Sequence, residues 1–153
     1  MNRARRTLMK VAGYLASAAV LSGGMLRAVF AAGWNAPAFD APDMDGALKG
    51  IGVVNATAST DIEIRTPQIA ENGAVVPIEV RSRIPNTRSI AILVEKNPFP
   101  LIAQIHFLNG AEGFVATRIK MGESSNIKAV VEAGGKFYAA SKDVKVTIGG
   151  CGE

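Results

Sequence analysis

Ile90-Ala91-Ile92-Leu93-Val94, followed by the turn signal Asn97-Pro98-Phe99-Pro100, decides the fold of this chain. A short, unbroken apolar run closed by such a turn is the pattern of a strand covered on both faces. Working outward, Leu101 to Leu108 continues beyond the turn, and Phe114 to Met121, Ile127 to Val131, Phe137 to Ala140 and Val144 to Ile148 follow. Asn109-Gly110, Gly122 to Asn126, Gly134-Gly135 and Lys142-Asp143 punctuate them as turns. Upstream, Ile62 and Ile64 alternate with Asp61, Glu63 and Arg65. Val76, Ile78 and Val80 alternate in the same way, although Pro77 predicts an edge strand or bulge there because it cannot donate to a ladder. Roughly seven or eight strands spaced by about ten residues, with no βαβ rhythm, predict an all-β fold, an immunoglobulin-like antiparallel β-sandwich.

Of 153 residues, only one is cysteine, so no disulfide staples the two sheets and apolar packing alone must hold the core. The first ten residues carry Arg3, Arg5, Arg6 and Lys10. An apolar run from Val11 to Leu26 and small residues at Ala28, Ala31, Ala32 and Gly33 come next. This is the layout of an export signal spanning 1–33 and removed on maturation; an uncleaved membrane anchor is the alternative. Residues 34–46, rich in Ala, Pro and Asp, read as a linker. Residues 47–148 form the sandwich domain, opening with one short helix through Ala47, Leu48 and Ile51 that Asp45 would cap. Residues 149–153 form a flexible C-terminal Gly-Gly-Cys-Gly arm.

The whole chain has 17 basic and 13 acidic residues, a formal charge of +4. Five of the basic residues (Arg3, Arg5, Arg6, Lys10, Arg27) precede the expected cleavage, leaving 12 against 13 and a net charge of −1. The basic character therefore belongs to the leader, which argues against nucleic-acid binding and, once the leader is gone, against a membrane location. Arg5-Arg6-Thr7-Leu8-Met9-Lys10 resembles a twin-arginine signal, the type that exports folded proteins, the other reading being a chance arginine pair. No metal or nucleotide motif explains folding before export, so co-export with a folded partner subunit is expected, with a periplasmic location.

Reactive groups are few. His106, the only histidine, lies between Ile105 and Phe107 on an expected strand, without the converging ligands of a metal site or the orienting partner of a catalytic base. Acidic residues fall singly on solvated strand faces, and no phosphate-cradling glycine loop is present. Cys151 in Gly149-Gly150-Cys151-Gly152-Glu153 stands apart. An unpaired thiol in an oxidising compartment seeks a partner, and its place after the last strand leaves nothing to bury it. Gly149, Gly150 and Gly152 keep the backbone thin and conformationally free, so the thiol can enter a narrow cleft about 10 Å beyond Ile148. Three readings stay open on these residues: a covalent carrier, a thiol that forms an intermolecular disulfide, or a ragged tail with an accidental cysteine.

Thr147-Ile148-Gly149-Gly150-Cys151-Gly152 resembles the C-terminus of SoxY, the sulfur-carrier subunit of the bacterial Sox thiosulfate-oxidising system. Ile69 to Pro77, Ser89 to Pro98, Thr117 to Gly122 and Ala133 to Tyr138 are similar to the same family. The resemblance implies an immunoglobulin-like fold and a carrier rather than an enzyme, with sulfur attached at Cys151 and no resident cofactor beyond that covalent thiosulfate or sulfane adduct. It also implies a heterodimer with a SoxZ-like subunit, which fits co-export. Transient docking follows to a haem-containing conjugating enzyme, a sulfate-releasing hydrolase and a sulfane oxidase. Family tails commonly end in Gly-Gly after the cysteine; here Glu153 is terminal. Its two negative charges at ~7 Å would each disfavour the thiolate by about 0.6 kcal/mol in water.

Overall fold

The computed structural model describes residues 34–108 and 110–147. The expected export signal and the Gly149–Glu153 arm, with Cys151, lie outside the described residues. Among the described residues, two short helices, α1 (Ala36–Phe39) and α2 (Met44–Gly50), precede nine strands. The strands are β1 (Thr57–Ala58), β2 (Ile62–Arg65), β3 (Ile69–Ala70), β4 (Val76–Ser82), β5 (Thr87–Val94), β6 (Leu101–His106), β7 (Phe114–Ile119), β8 (Ser125–Ala133) and β9 (Lys136–Val146). One sheet runs β1-β9-β8-β5-β6, with β3 also on β9, and the other runs β2-β4-β7. This is an all-β, immunoglobulin-like sandwich.

Strand β5 explains the architecture. Its even-numbered side chains Ile90, Ile92 and Val94 point into the main core, against Val76, Ile78 and Val80 of β4 and Ile127, Ala129 and Val131 of β8. Its odd-numbered Ala91 and Leu93 join a second core with Ala38, Ala41, Ala47 and Val53 of the helical segment. The unbroken apolar run is thus required by two opposed cores: alternation would expose one of them. Burial of each large side chain contributes about 1.5–3 kcal/mol.

The stretch read as a linker, 34–46, is therefore a folded cover. Ala38 is fully buried, and Ala41 nearly so. Asp43, not Asp45, caps α2: its side chain accepts from the Gly46 N–H at 2.7 Å. The capping position moved because the helix begins two residues earlier, where Asp43 has extended backbone geometry. Asn35 donates from Nδ2 to the Gly50 carbonyl at 3.0 Å, tying the helices together. Gly50 allows the contact, since a Cβ there would lie 2.5 Å from the Ala38 Cα.

Two further expectations change. Pro77 lies in the middle strand of its sheet, not an edge strand. The β2 register ends at Arg65↔Glu79, so only β7 runs beside Pro77, where it faces Arg118. The segments expected as separate strands, Phe137–Ala140 and Val144–Ile148, are joined: β9 runs unbroken to Val146, and Ile148 lies outside the described residues. Lys142 and Asp143 form no turn: they pair with Ile127 and Asn126 of β8. Asp143 is exposed on this continuous ladder, whereas Lys142 is half-buried and its amine donates to the Ile64 and Thr66 carbonyls. The hairpin at Gly134-Gly135 is as expected, both residues having positive φ (58° and 74°).

Replacing Ile92 by Ala should lower unfolding free energy by about 2–5 kcal/mol through a core cavity. Gly50→Ala should cost roughly 1–3 kcal/mol by forcing the helices apart. Urea unfolding checks both; a neutral Gly50→Ala would mean that the helical cover does not need this close contact.

Candidate functional site

The arm expected to bear chemistry continues from β9, so the site is built from the root of that arm. The β8 ladder ends at Ser125↔Val144, two residues before β9 itself ends. Past that point the Ser124 side chain takes over. Its hydroxyl accepts from the Val146 N–H at 2.9 Å and donates to the Val146 carbonyl at 3.4 Å. On the opposite edge, parallel β3 pairs Ile69↔Lys145 and Ala70↔Val146. The Lys145 N–H donates to the Gln68 carbonyl at 2.9 Å, and the Thr147 N–H to the Ala70 carbonyl at 3.0 Å. The Thr147 hydroxyl also donates to the Ala70 carbonyl, at 3.4 Å.

A loop closes over this root. The Met121 N–H donates to the Gly73 carbonyl at 2.7 Å. A Cβ on Gly73 would lie 2.4 Å from the Met121 carbonyl oxygen and 2.8 Å from Val146 Cγ1, so only glycine fits. Nearby, Asn97 joins the β5–β6 turn to the same end: its amide donates to the Lys120 carbonyl at 2.8 Å, and its oxygen accepts from the Gly122 N–H at 3.1 Å. Ile69 is 58% exposed beside Lys145. The root is thus a hydrogen-bonded edge, described as far as Thr147; Gly149, Gly150, Cys151 and Gly152 lie beyond the described residues.

Other chemistry is sparse. His106 ends β6 in an exposed position, opposite Ser89. Among the described residues no three His, Cys, Asp or Glu side chains converge as metal ligands, and no helix is long and apolar enough to cross a membrane. The outward face of β2-β4-β7 carries charges. Arg65 Nε donates to Glu63 Oε1 at 2.6 Å, and Arg83 Nη2 to Glu63 Oε2 at 3.0 Å. Arg81 bonds Glu112 and stacks over the Phe114 ring, 4.6 Å from its centroid. The Arg65 hydrogen bond, reinforced by the charges of Arg65, Arg83 and Arg81, holds the Glu63 carboxyl below its ordinary value of 4.5; the same pairing raises the Arg65 pKa.

Sequence reasoning missed Ser124, Gly73 and Ala70 as parts of the site. Ser124 lay inside an expected turn, Gly122 to Asn126, where a serine carries no distinguishing signal. Only the register between β8 and β9 shows which backbone groups it meets.

The comparisons with known proteins bear on this edge. The family model described as sulfur oxidation protein SoxY matches residues 50–151. The chain belongs to the SoxY family. A solved structure of the sulfur carrier protein SoxY from Chlorobium limicola f thiosulfatophilum is 39% identical, with a TM-score of 0.62, covering 68% of this chain and 94% of that one. The role that follows is that of a SoxY-type sulfur carrier in sulfur oxidation. A superoxide reductase (neelaredoxin) from Ignicoccus hospitalis shares the fold alone: 22% identity and a TM-score of 0.51, over 60% of this chain and 81% of that one. No curated protein matches.

The depressed Glu63 pKa carries a pH prediction. Its contribution to stability is present above the ordinary carboxylate value and is lost as pH falls through the lower folded-state value. Wild type and Glu63→Gln should therefore differ in Tm near neutral pH and converge as pH drops below about 4.5. Because the pair is exposed, high salt should shrink the gap. A Tm difference that persists at low pH would refute the assignment.

Proposed function

We propose that this chain is the carrier subunit of a periplasmic thiosulfate-oxidising system and holds its intermediates on the Cys151 thiol. The observation that carries the reading is the extent of the family match, which runs from residue 50 to residue 151 and ends on the only cysteine in the sequence. The bonded root at Val146 and Thr147 supports it, because it ties the strand leading to that cysteine to the sandwich.

In conjugation, the thiol and thiosulfate lose two electrons and a proton and form a new S–S bond; the electrons pass to a haem-containing enzyme. Hydrolysis by a second enzyme then breaks the bond between the sulfane sulfur and the sulfone group. Water supplies the oxygen that converts the sulfone to sulfate, and a persulfide stays on Cys151. A sulfane oxidase is the third visitor. The carrier supplies the bond and its partners the catalysis, so no resident cofactor is needed beyond the covalent adduct. Gly149, Gly150 and Gly152 give clearance beside the thiol.

A separate SoxZ-like subunit completes the heterodimer, and the pair leaves the cytoplasm folded by the twin-arginine route directed by residues 1–33. The mature chain is then free of nucleic acid and membrane.

Intact-mass analysis of the heterodimer after incubation with thiosulfate and the conjugating enzyme should show a thiosulfate adduct on the wild-type chain. Cys151→Ser should show none while still binding its partner. Adducts of the same mass on Cys151→Ser would sink the carrier assignment, whereas unimpaired thiosulfate oxidation by that variant would reduce the thiol to a structural role.

A further inference from the structure

We propose that Ser124 is a positioning residue that sets the point where the carrier arm leaves the sandwich; the inference rests on the carrier reading of Cys151. The observation is a mismatch in strand lengths. The β8 ladder ends at Val144, yet β9 continues in sheet geometry to Val146. Without a replacement, Val146 would have no hydrogen-bonding partner on the β8 side. One Ser124 hydroxyl supplies both, accepting from the N–H and donating to the carbonyl. It thus imitates the backbone residue that a longer β8 would have provided.

The opposite edge does not suffice alone. Strand β3 is two residues long and its Ile69 is mostly exposed, so its pairs with Lys145 and Val146 are a short ladder. Gly73 completes the grip by letting its loop approach Val146 Cγ1. The result is a clamp on both sides of Val146 with Thr147 just beyond it.

Where the clamp ends determines tether length. With the chain held through Thr147, four residues lead to Cys151, a span of at most ~14 Å. If β9 were released after Val144, seven residues would lead to it, a span of at most ~25 Å. A longer tether dilutes the thiol within a docked complex roughly as the −3/2 power of length, about twofold here. The docking surface itself would be unchanged. Losing the clamp should therefore lower kcat for conjugation and leave KM for the carrier unchanged, whereas general destabilisation would raise the apparent KM.

The test uses the mature heterodimer bearing wild type, Ser124→Ala, Ser124→Thr or Gly73→Ala. Amide exchange at Val146 and Thr147 and steady-state conjugation of thiosulfate by the haem-containing enzyme are measured for each. Ser124→Ala should speed Val146 exchange about tenfold or more and lower kcat about twofold at constant KM. Ser124→Thr, which keeps the hydroxyl, should restore both, and Gly73→Ala should act in the same direction as Ser124→Ala. Alkylation of Cys151 by iodoacetamide should be equal in all four, placing the effect in presentation and not in thiol reactivity. Unchanged exchange in Ser124→Ala, or faster exchange with unchanged kcat, overturns the proposal. Absence of conjugation in wild type overturns the carrier reading, and the proposal with it.

Discussion

The double burial of strand β5 is the constraint on which the rest of the structure depends. A strand in the middle of a sheet presents successive side chains to opposite faces, and here both faces are apolar: Ile90, Ile92 and Val94 on one, Ala91 and Leu93 on the other. The first face demands a second sheet, which β2-β4-β7 supplies. The second demands another cover. Among the described residues no further sheet lies on that side; the segment before β1 provides the cover, and its small residues Ala38, Ala41 and Ala47 let two short helices lie close to the strands.

With β5, β8 and β9 held at the centre, β9 becomes the exit route. At eleven residues it is the longest strand among the described residues; it pairs with β8 from Lys136 to Val144 and is flanked on its outer edge by two short parallel strands. Those strands blunt an edge that would otherwise present unpaired backbone groups. The second of them, β3, also pairs with Lys145 and Val146 at the far end of β9. A carrier has two needs that conflict: a reactive group that reaches into other proteins, and a base that does not move. Under the proposed carrier role, the hydrogen bonds of Ser124, Ala70 and the Gly73 loop would answer the second need within a few residues of Cys151.

The charged face of β2-β4-β7 belongs to a different part of the molecule. Its pairs, Glu63 with Arg65 and Arg83, and Arg81 with Glu112, are exposed and contribute little to stability through screening by water and salt. Their arrangement keeps opposite charges adjacent across strands and leaves the apolar side chains of β4 to face inward.

The sequence by itself determined the strand periodicity, the doubly covered β5, the hairpin at Gly134-Gly135 and the single cysteine near the C-terminus. These are local properties: side-chain alternation, positive φ at glycine and residue identity do not depend on a distant partner. Tertiary structure alone decided what depends on registers between distant segments. Residues 34–46 look like a linker because small and polar residues carry weak signals, yet Ala38 and Ala41 are buried against β5 and its neighbours. Lys142-Asp143 looks like a turn because a lysine and an aspartate in succession are common in loops; here Asp143 is exposed on a paired strand and Lys142 finds carbonyl acceptors at Ile64 and Thr66, distant in sequence. Ser124 looks like any turn serine, and becomes the clamp on Val146 only because β8 stops two residues short of its partner.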